Sequence, residues 1–358
     1  MEEKILSLRM SRQHLDEPAG QEEYDALFRK MSPVSTAYWC CPGMPPVLAH
    51  RAAFDDADYN FRRRAARRIV KGRFQNGGIA YIDAEEWELF AGAYHKEPPI
   101  LDDMQRTIRE IIEREGPVTI QVIKEMTGLL VKEITPLLHK MQQAFLVFED
   151  QADNEWDRGW YSFSREFPQV DIRRYTRQQA ISILIERFAE LMVWFDADMV
   201  RSFYRFSAKE SRAALEFLLA NGMLCACPFK GTEGYIRPQD QELLRREKLP
   251  PAFGTAVLHR NDFLVKAYET QLKVRQREWL ADRSEWDILY YILIDGEFQG
   301  AVVGKFHNGP FDVEDIALSL PAACAQQRRE EILSAVYKVS DQQTSPVRRY
   351  CGRELYRR

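Results

Sequence analysis

The chain has 358 residues, 45% hydrophobic and 29% charged, with a formal net charge of -4. That size suggests about two to four domains, and the mild acidity excludes attraction of the whole molecule to nucleic acid, so any DNA affinity must be local. Cys40, Cys41, Cys225, Cys227, Cys324 and Cys351 form no CxxC pair, Met1 to Met10 carry no secretory signal, and no apolar run reaches the ~20 residues of a membrane span. The expectation is a cytoplasmic monomer with reduced thiols, no metal and no cofactor. Phosphate-loop, dinucleotide and serine-hydrolase motifs are absent as well.

Residues 1–101 are read as an N-terminal helical domain. Its loop from Ser32 to Pro46 is rich in proline, aromatic and small residues; Tyr38 and Trp39 either stack on an exposed base or pin the loop to its own domain. Cys40 and Cys41 in the same loop are either a reactive thiol site or inert. Between Tyr59 and Ile82 stand Arg62, Arg63, Arg64, Arg67, Arg68, Lys71 and Arg73 without an acid. Phe61, Ala65, Ala66, Ile69 and Val70 recur at helical spacing, which predicts a helix with a broad basic face. That face either neutralises phosphates or pairs with Asp55, Asp56, Asp58, Asp83, Glu85 and Glu86. Gln75 to Gly78 mark a turn.

Residues 103–163 and 176–237 each read as three short helices and a hairpin, the order of a winged helix-turn-helix. In the first unit, within 102–168, Met104, Ile108, Ile111 and Ile112 form an apolar stripe, Thr119 caps a second helix, and a third runs from about Val131 to Ala144. That third helix turns Lys132, Thr135 and Lys140 outward, and Pro136 requires a place in its first turn. In the second unit, within 169–250, Thr176 to Gln179 and Ser207 to Glu210 are capping boxes, the latter opening a third helix that carries Lys209 and Arg212. Residues 251–358 are read as an α+β domain: a hairpin about Asp295-Gly296, a strand through Ile316 and Leu318, a closing helix from Glu330 to Val339, and a basic tail (Arg348, Arg349, Arg353, Arg357, Arg358) that is either disordered or touches phosphate. The fold expectation is mainly α with small β hairpins (α+β), with tandem winged helices. The scattered histidines read as structural.

Taken in order, Leu8 to Leu15, Phe203 to Ser207, Glu210 to Leu215, Val257 to Leu264 and the hairpin Asp295 to Gly300 resemble the AlkZ-type winged-helix DNA glycosylases, a bacterial family that removes N-alkylated purines and unhooks some crosslinks. The resemblance implies N-glycosidic bond hydrolysis on double-stranded, damaged DNA, by a protein nucleoid-associated when bound. An alkylated purine is cationic and leaves readily, so such an enzyme mainly positions water and stabilises an oxocarbenium-like sugar. Family members use a Gln-x-Gln pair; this chain has Ser32 and Val34 there, and Gln239-Asp240-Gln241 reads as an exposed turn. Asp55, Asp56 and Asp58 are the candidates to compensate. The alternatives are a non-catalytic winged-helix transcriptional regulator or architectural DNA-binding protein, and a protein-interaction scaffold.

Overall fold

The computed structural model describes residues 1–36, 44–96, 101–151, 158–229, 231–281, 283, 285–306 and 311–355. Tyr38, Trp39, Cys40, Cys41, His307, Arg357 and Arg358 lie outside them. The architecture is mixed α+β. Among the described residues no helix is long and apolar enough to cross a membrane.

Helices Glu2–Arg12 and Gln21–Met31 lead to helix Asp56–Ala65, the antiparallel hairpin Ile69–Phe74 and Gly78–Asp83, and helix Trp87–Tyr94. The single basic helix expected across this stretch does not form. It ends at Ala65, Arg67 takes a left-handed φ of 52°, and β-branched Ile69 and Val70 open a strand. Lys71 and Arg73, two apart on that strand, share one of its faces and are buried and half-buried.

Helices Asp103–Glu115, Ile120–Thr127 and Val131–Gln143 and the hairpin Val147–Gln151 and Arg158–Ser162 follow. They enclose a core of their own, with Ile108, Ile112, Ile123, Ile134, Leu138 and Trp160 fully buried. Met104, expected in that stripe, is 37% exposed. Pro136 falls beyond the first turn of Val131–Gln143, so that helix gives up one internal hydrogen bond.

The second repeat is helices Arg177–Met192, Ala197–Tyr204 and Ala208–Ala220 with a three-stranded sheet in which Tyr235–Ile236 lies between Trp194–Phe195 and Cys225–Ala226. Both capping boxes form as read: Gln179 N donates to Thr176 Oγ1 and Glu210 N to Ser207 Oγ, with each glutamine or glutamate side chain returning to the cap amide. Helix Arg177–Met192 is buried along most of its length because both N-terminal helices and Trp87–Tyr94 pack on it. Gln239-Asp240-Gln241 is not an exposed turn: it starts helix Pro238–Arg246, and buried Asp240 pairs with Arg12 and Arg237.

The C-terminal sheet is larger than the hairpin and single added strand expected. Its six strands run in the order Arg353–Glu354, Arg349–Tyr350, Asp312–Leu318, Glu297–Lys305, Asp287–Ile294 and Thr255–His259. The basic tail is therefore ordered through Arg353, its first strand pairing parallel to Asp312–Leu318. Alternate side chains leave on opposite faces. Ala256, Leu258, Tyr291 and Leu293 join the main core with the N-terminal segment and the second repeat, whereas Val257, Tyr290, Ile292 and Ile294 pack beneath helix Arg329–Tyr337.

Candidate functional site

The loop that follows helix Gln21–Met31 is fixed from both sides. Ser32 Oγ donates to the Phe28 carbonyl at 2.8 Å, and the Val34 backbone exchanges two 2.8 Å hydrogen bonds with Tyr81. Neither Ser32 nor Val34 offers an amide to a substrate. The next two residues meet polar groups from distant segments: Lys266 Nζ donates to Ser35 Oγ at 2.7 Å, and Asn261 Nδ2 to the Thr36 carbonyl at 2.8 Å. Gln75 completes the group, its Oε1 accepting from Lys266 Nζ at 2.9 Å and its Nε2 donating to the Phe203 carbonyl at 2.7 Å. Gln75, Asn76 and Gly77 all have positive φ, of 47°, 65° and 86°, a tight turn in which the final glycine carries no steric penalty.

Buried charge anchors the far side of the group. Arg51 and Asp262, 0% and 4% exposed at the side chain, form a two-pronged pair at 2.7 and 3.1 Å, and Arg51 also reaches Gln13 Oε1 at 3.3 Å. Asp262 Oδ1 in addition caps helix Phe263–Ala267 through Leu264 N, setting the direction in which Lys266 emerges. His259 Nδ1 accepts from Asn261 N at 3.0 Å and His50 Nε2 from Val257 N at 3.1 Å. Burial holds both imidazoles down to about 4, so they are neutral structural acceptors.

Lys266 and Asn261 open on a cleft of about 260 Å³ in which Arg205, Arg260, Lys266 and Lys273 face one carboxylate, Glu269. Glu269 bridges Arg205 and Lys273. Burial alone would raise its carboxyl, but hydrogen bonds from those two cations hold it below the usual range, so it is ionised at neutral pH. Arg260 lies over the Phe306 ring at 4.7 Å from its centroid. The cleft thus combines a fixed amide, a carboxylate and an excess of positive charge, a set suited to phosphate and sugar rather than to an apolar ligand.

The residues singled out in the sequence are distributed differently. Asp55 caps helix Asp56–Ala65, Asp56 accepts from Tyr24 Oη and Leu48 N, and Asp58 pairs with Arg62; none of them lines the cleft. Arg63 is buried between Asp25 and Asp83 over the Phe28 ring, Arg64 donates to the Gln151 carbonyl, and Arg67 pairs with Glu166. Lys71 faces Glu149, and Arg73 donates to Gln142 and His139. Pairing with acids, one of the two readings left open above, is what Arg62 and Arg63 show. Arg68, Lys132, Lys140, Lys209 and Arg212 are exposed, and Thr135 is half-buried with its hydroxyl turned back to the Val131 carbonyl. Ser35, Gln75, Asn261, Lys266 and Glu269 were not singled out, although three of their segments were: the loop from Ser32 to Pro46, the turn at Gln75 and the stretch from Val257 to Leu264.

A family model described as DNA glycosylase AlkZ-like matches residues 46–330. No curated protein sequence matches the chain. Among solved structures, the Streptomyces sahachiroi DNA glycosylase AlkZ aligns over 97% of this chain and 98% of that one, with a TM-score of 0.72 at 13% identity. At that identity the likeness is one of fold.

Proposed function

This chain belongs to the AlkZ-like DNA glycosylase family, and from that membership we propose that it hydrolyses the N-glycosidic bond of N-alkylated purines in duplex DNA, at the cationic cleft beside Ser35. The observation that carries the reading is a cleft lined by Asn261, Lys266 and Glu269, the first two of which are tied by hydrogen bonds to Thr36 and Ser35 of the loop that has Ser32 and Val34 in place of two glutamines. Asn261 is held by the Thr36 carbonyl and presents its amide oxygen to orient a water. Glu269 accepts the water's proton and opposes the positive charge that develops on the sugar as the C1′–N bond breaks. Arg205, Arg260 and Lys273 hold the flanking phosphates. Glu269 thereby takes the role expected of Asp55, Asp56 or Asp58, none of which lines the cleft.

In this reading the two three-helix repeats are winged helices that grip the duplex, with Lys132 and Lys140 on one third helix and Lys209 and Arg212 on the other as phosphate contacts. Exposure of these four supports it. Release of 7-methylguanine from a methylated duplex tests the chemistry. Glu269→Gln and Asn261→Ala are each expected to slow release about 100-fold or more while duplex affinity stays within severalfold, the loss typical of removing one positioned polar group. No release by the wild-type protein, or wild-type rates in both variants, overturns the proposal.

A further inference from the structure

We propose that Lys266 is an amine nucleophile that forms an imine with C1′ of the sugar left after base removal, giving the protein a strand-cleaving lyase activity in addition to hydrolysis. The inference rests on the base-excision reading above. Its own ground is the setting of one side chain. Lys266 lies within the cleft, and its ammonium is met by two neutral oxygens, Ser35 Oγ at 2.7 Å and Gln75 Oε1 at 2.9 Å. It makes no ion pair among the described residues, because the carboxylates at helical spacing from it are engaged: Asp262 by Arg51, and Glu269 by Arg205 and Lys273.

A half-buried lysine held only by neutral acceptors is poorly compensated as a cation. Burial lowers its pKa to about 8, with Arg205 reinforcing the shift and Glu269 opposing it. At pH 7.5 roughly a quarter of the molecules then carry the free amine, against about one in a thousand for an ordinary lysine. A desolvated lysine beside another cation is an arrangement that activates an amine toward a carbonyl.

The chemistry closes without an added oxidant or reductant. Hydrolysis leaves a C1′ hemiacetal in equilibrium with its open aldehyde. The unprotonated Nζ adds to C1′, a proton passes from nitrogen to oxygen, and a second proton, taken from solvent, lets that oxygen leave as water and gives the protonated imine. Removal of a C2′ proton by Glu269 then expels the 3′ phosphate, and water hydrolyses the imine to return the amine. Arg205, Arg260 and Lys273 supply the positive charge that the departing phosphate requires.

The test uses the full chain, a duplex carrying a pre-formed abasic site, and sodium cyanoborohydride, which reduces the imine to a stable secondary amine. A covalent protein–DNA adduct mapped by peptide mass spectrometry to Lys266 is expected, and Lys266→Met should reduce its yield at least 100-fold. Mapping on the wild-type protein needs no variant to fold. No adduct, or an adduct confined to the Met1 amine or another lysine, overturns the inference. Release of 7-methylguanine is followed separately on the same preparation: release without an adduct removes the lyase inference and leaves the hydrolase reading, and an adduct at Lys266 without release does the reverse.

Discussion

The buried Arg51–Asp262 pair gives the most exacting test of the site's construction. Arg51 is fully enclosed, and Asp262 is the only carboxylate paired with it among the described residues. Arg51→Met strands the aspartate inside the protein, and Asp262→Leu strands the arginine. Breaking a buried pair from one side costs about 3–5 kcal/mol. With an unfolding entropy of about 2.1 cal/mol/K per residue, a cooperative transition of a chain this size loses roughly 4–7 °C in Tm. Asp262→Leu also removes the cap on helix Phe263–Ala267, worth ~1 kcal/mol more, so it should be the worse single variant. In Arg51→Met/Asp262→Leu neither charge is left alone, and the residual loss should be near the cap alone. Thermal and urea unfolding of the four proteins give the coupling energy, expected at 2 kcal/mol or more. Single variants within 1 °C of wild type, or a double variant equal to the sum of the singles, would refute the claim that mutual neutralisation holds this side of the cleft.

Acid should weaken the fold through His259 and His50. Their native pKa of about 4 lies below the unfolded value near 6.5, so their stabilisation is complete above pH 6.5 and is lost as pH falls toward 4. His259→Asn should remove about 3 kcal/mol of that acid loss, and an unchanged stability–pH profile would contradict it. Gly304→Ala should cost about 1–3 kcal/mol in urea unfolding, because a Cβ there would stand 1.9 Å from the Asp312 carbonyl oxygen across the strand pair; wild-type stability would mean that the strands part more easily than their register implies. Lys132→Ala/Lys140→Ala and Lys209→Ala/Arg212→Ala should each lower the slope of log affinity against log salt by about one to two on undamaged duplex, measured by fluorescence anisotropy. An unchanged slope in both would leave the third helices without phosphate contacts.

What the sequence disclosed was local, and what it concealed was relational. Thr176, Ser207 and Thr119 announce helix starts because a cap and its partner amide lie within three residues. Asp295-Gly296 announces a hairpin because both residues adopt the positive φ, 51° and 83°, that a two-residue turn demands. The run from Arg62 to Arg73 misled because its partners Asp25, Glu149, Gln151 and Glu166 come from other parts of the chain, and no helical wheel contains them. Distant partners also account for the silence of Lys266 in the sequence. Asp262 stands four residues before it and Glu269 three after, so spacing on a helix predicts an ordinary surface ion pair. Tertiary contacts take both acids away: Arg51 comes from 211 residues upstream of Asp262, and Arg205 from 64 residues upstream of Glu269. Lys266 is left with a serine 231 residues and a glutamine 191 residues distant in the chain. An amine's reactivity depends on which neighbouring charges remain uncommitted, and that depends on contacts formed only when the fold closes.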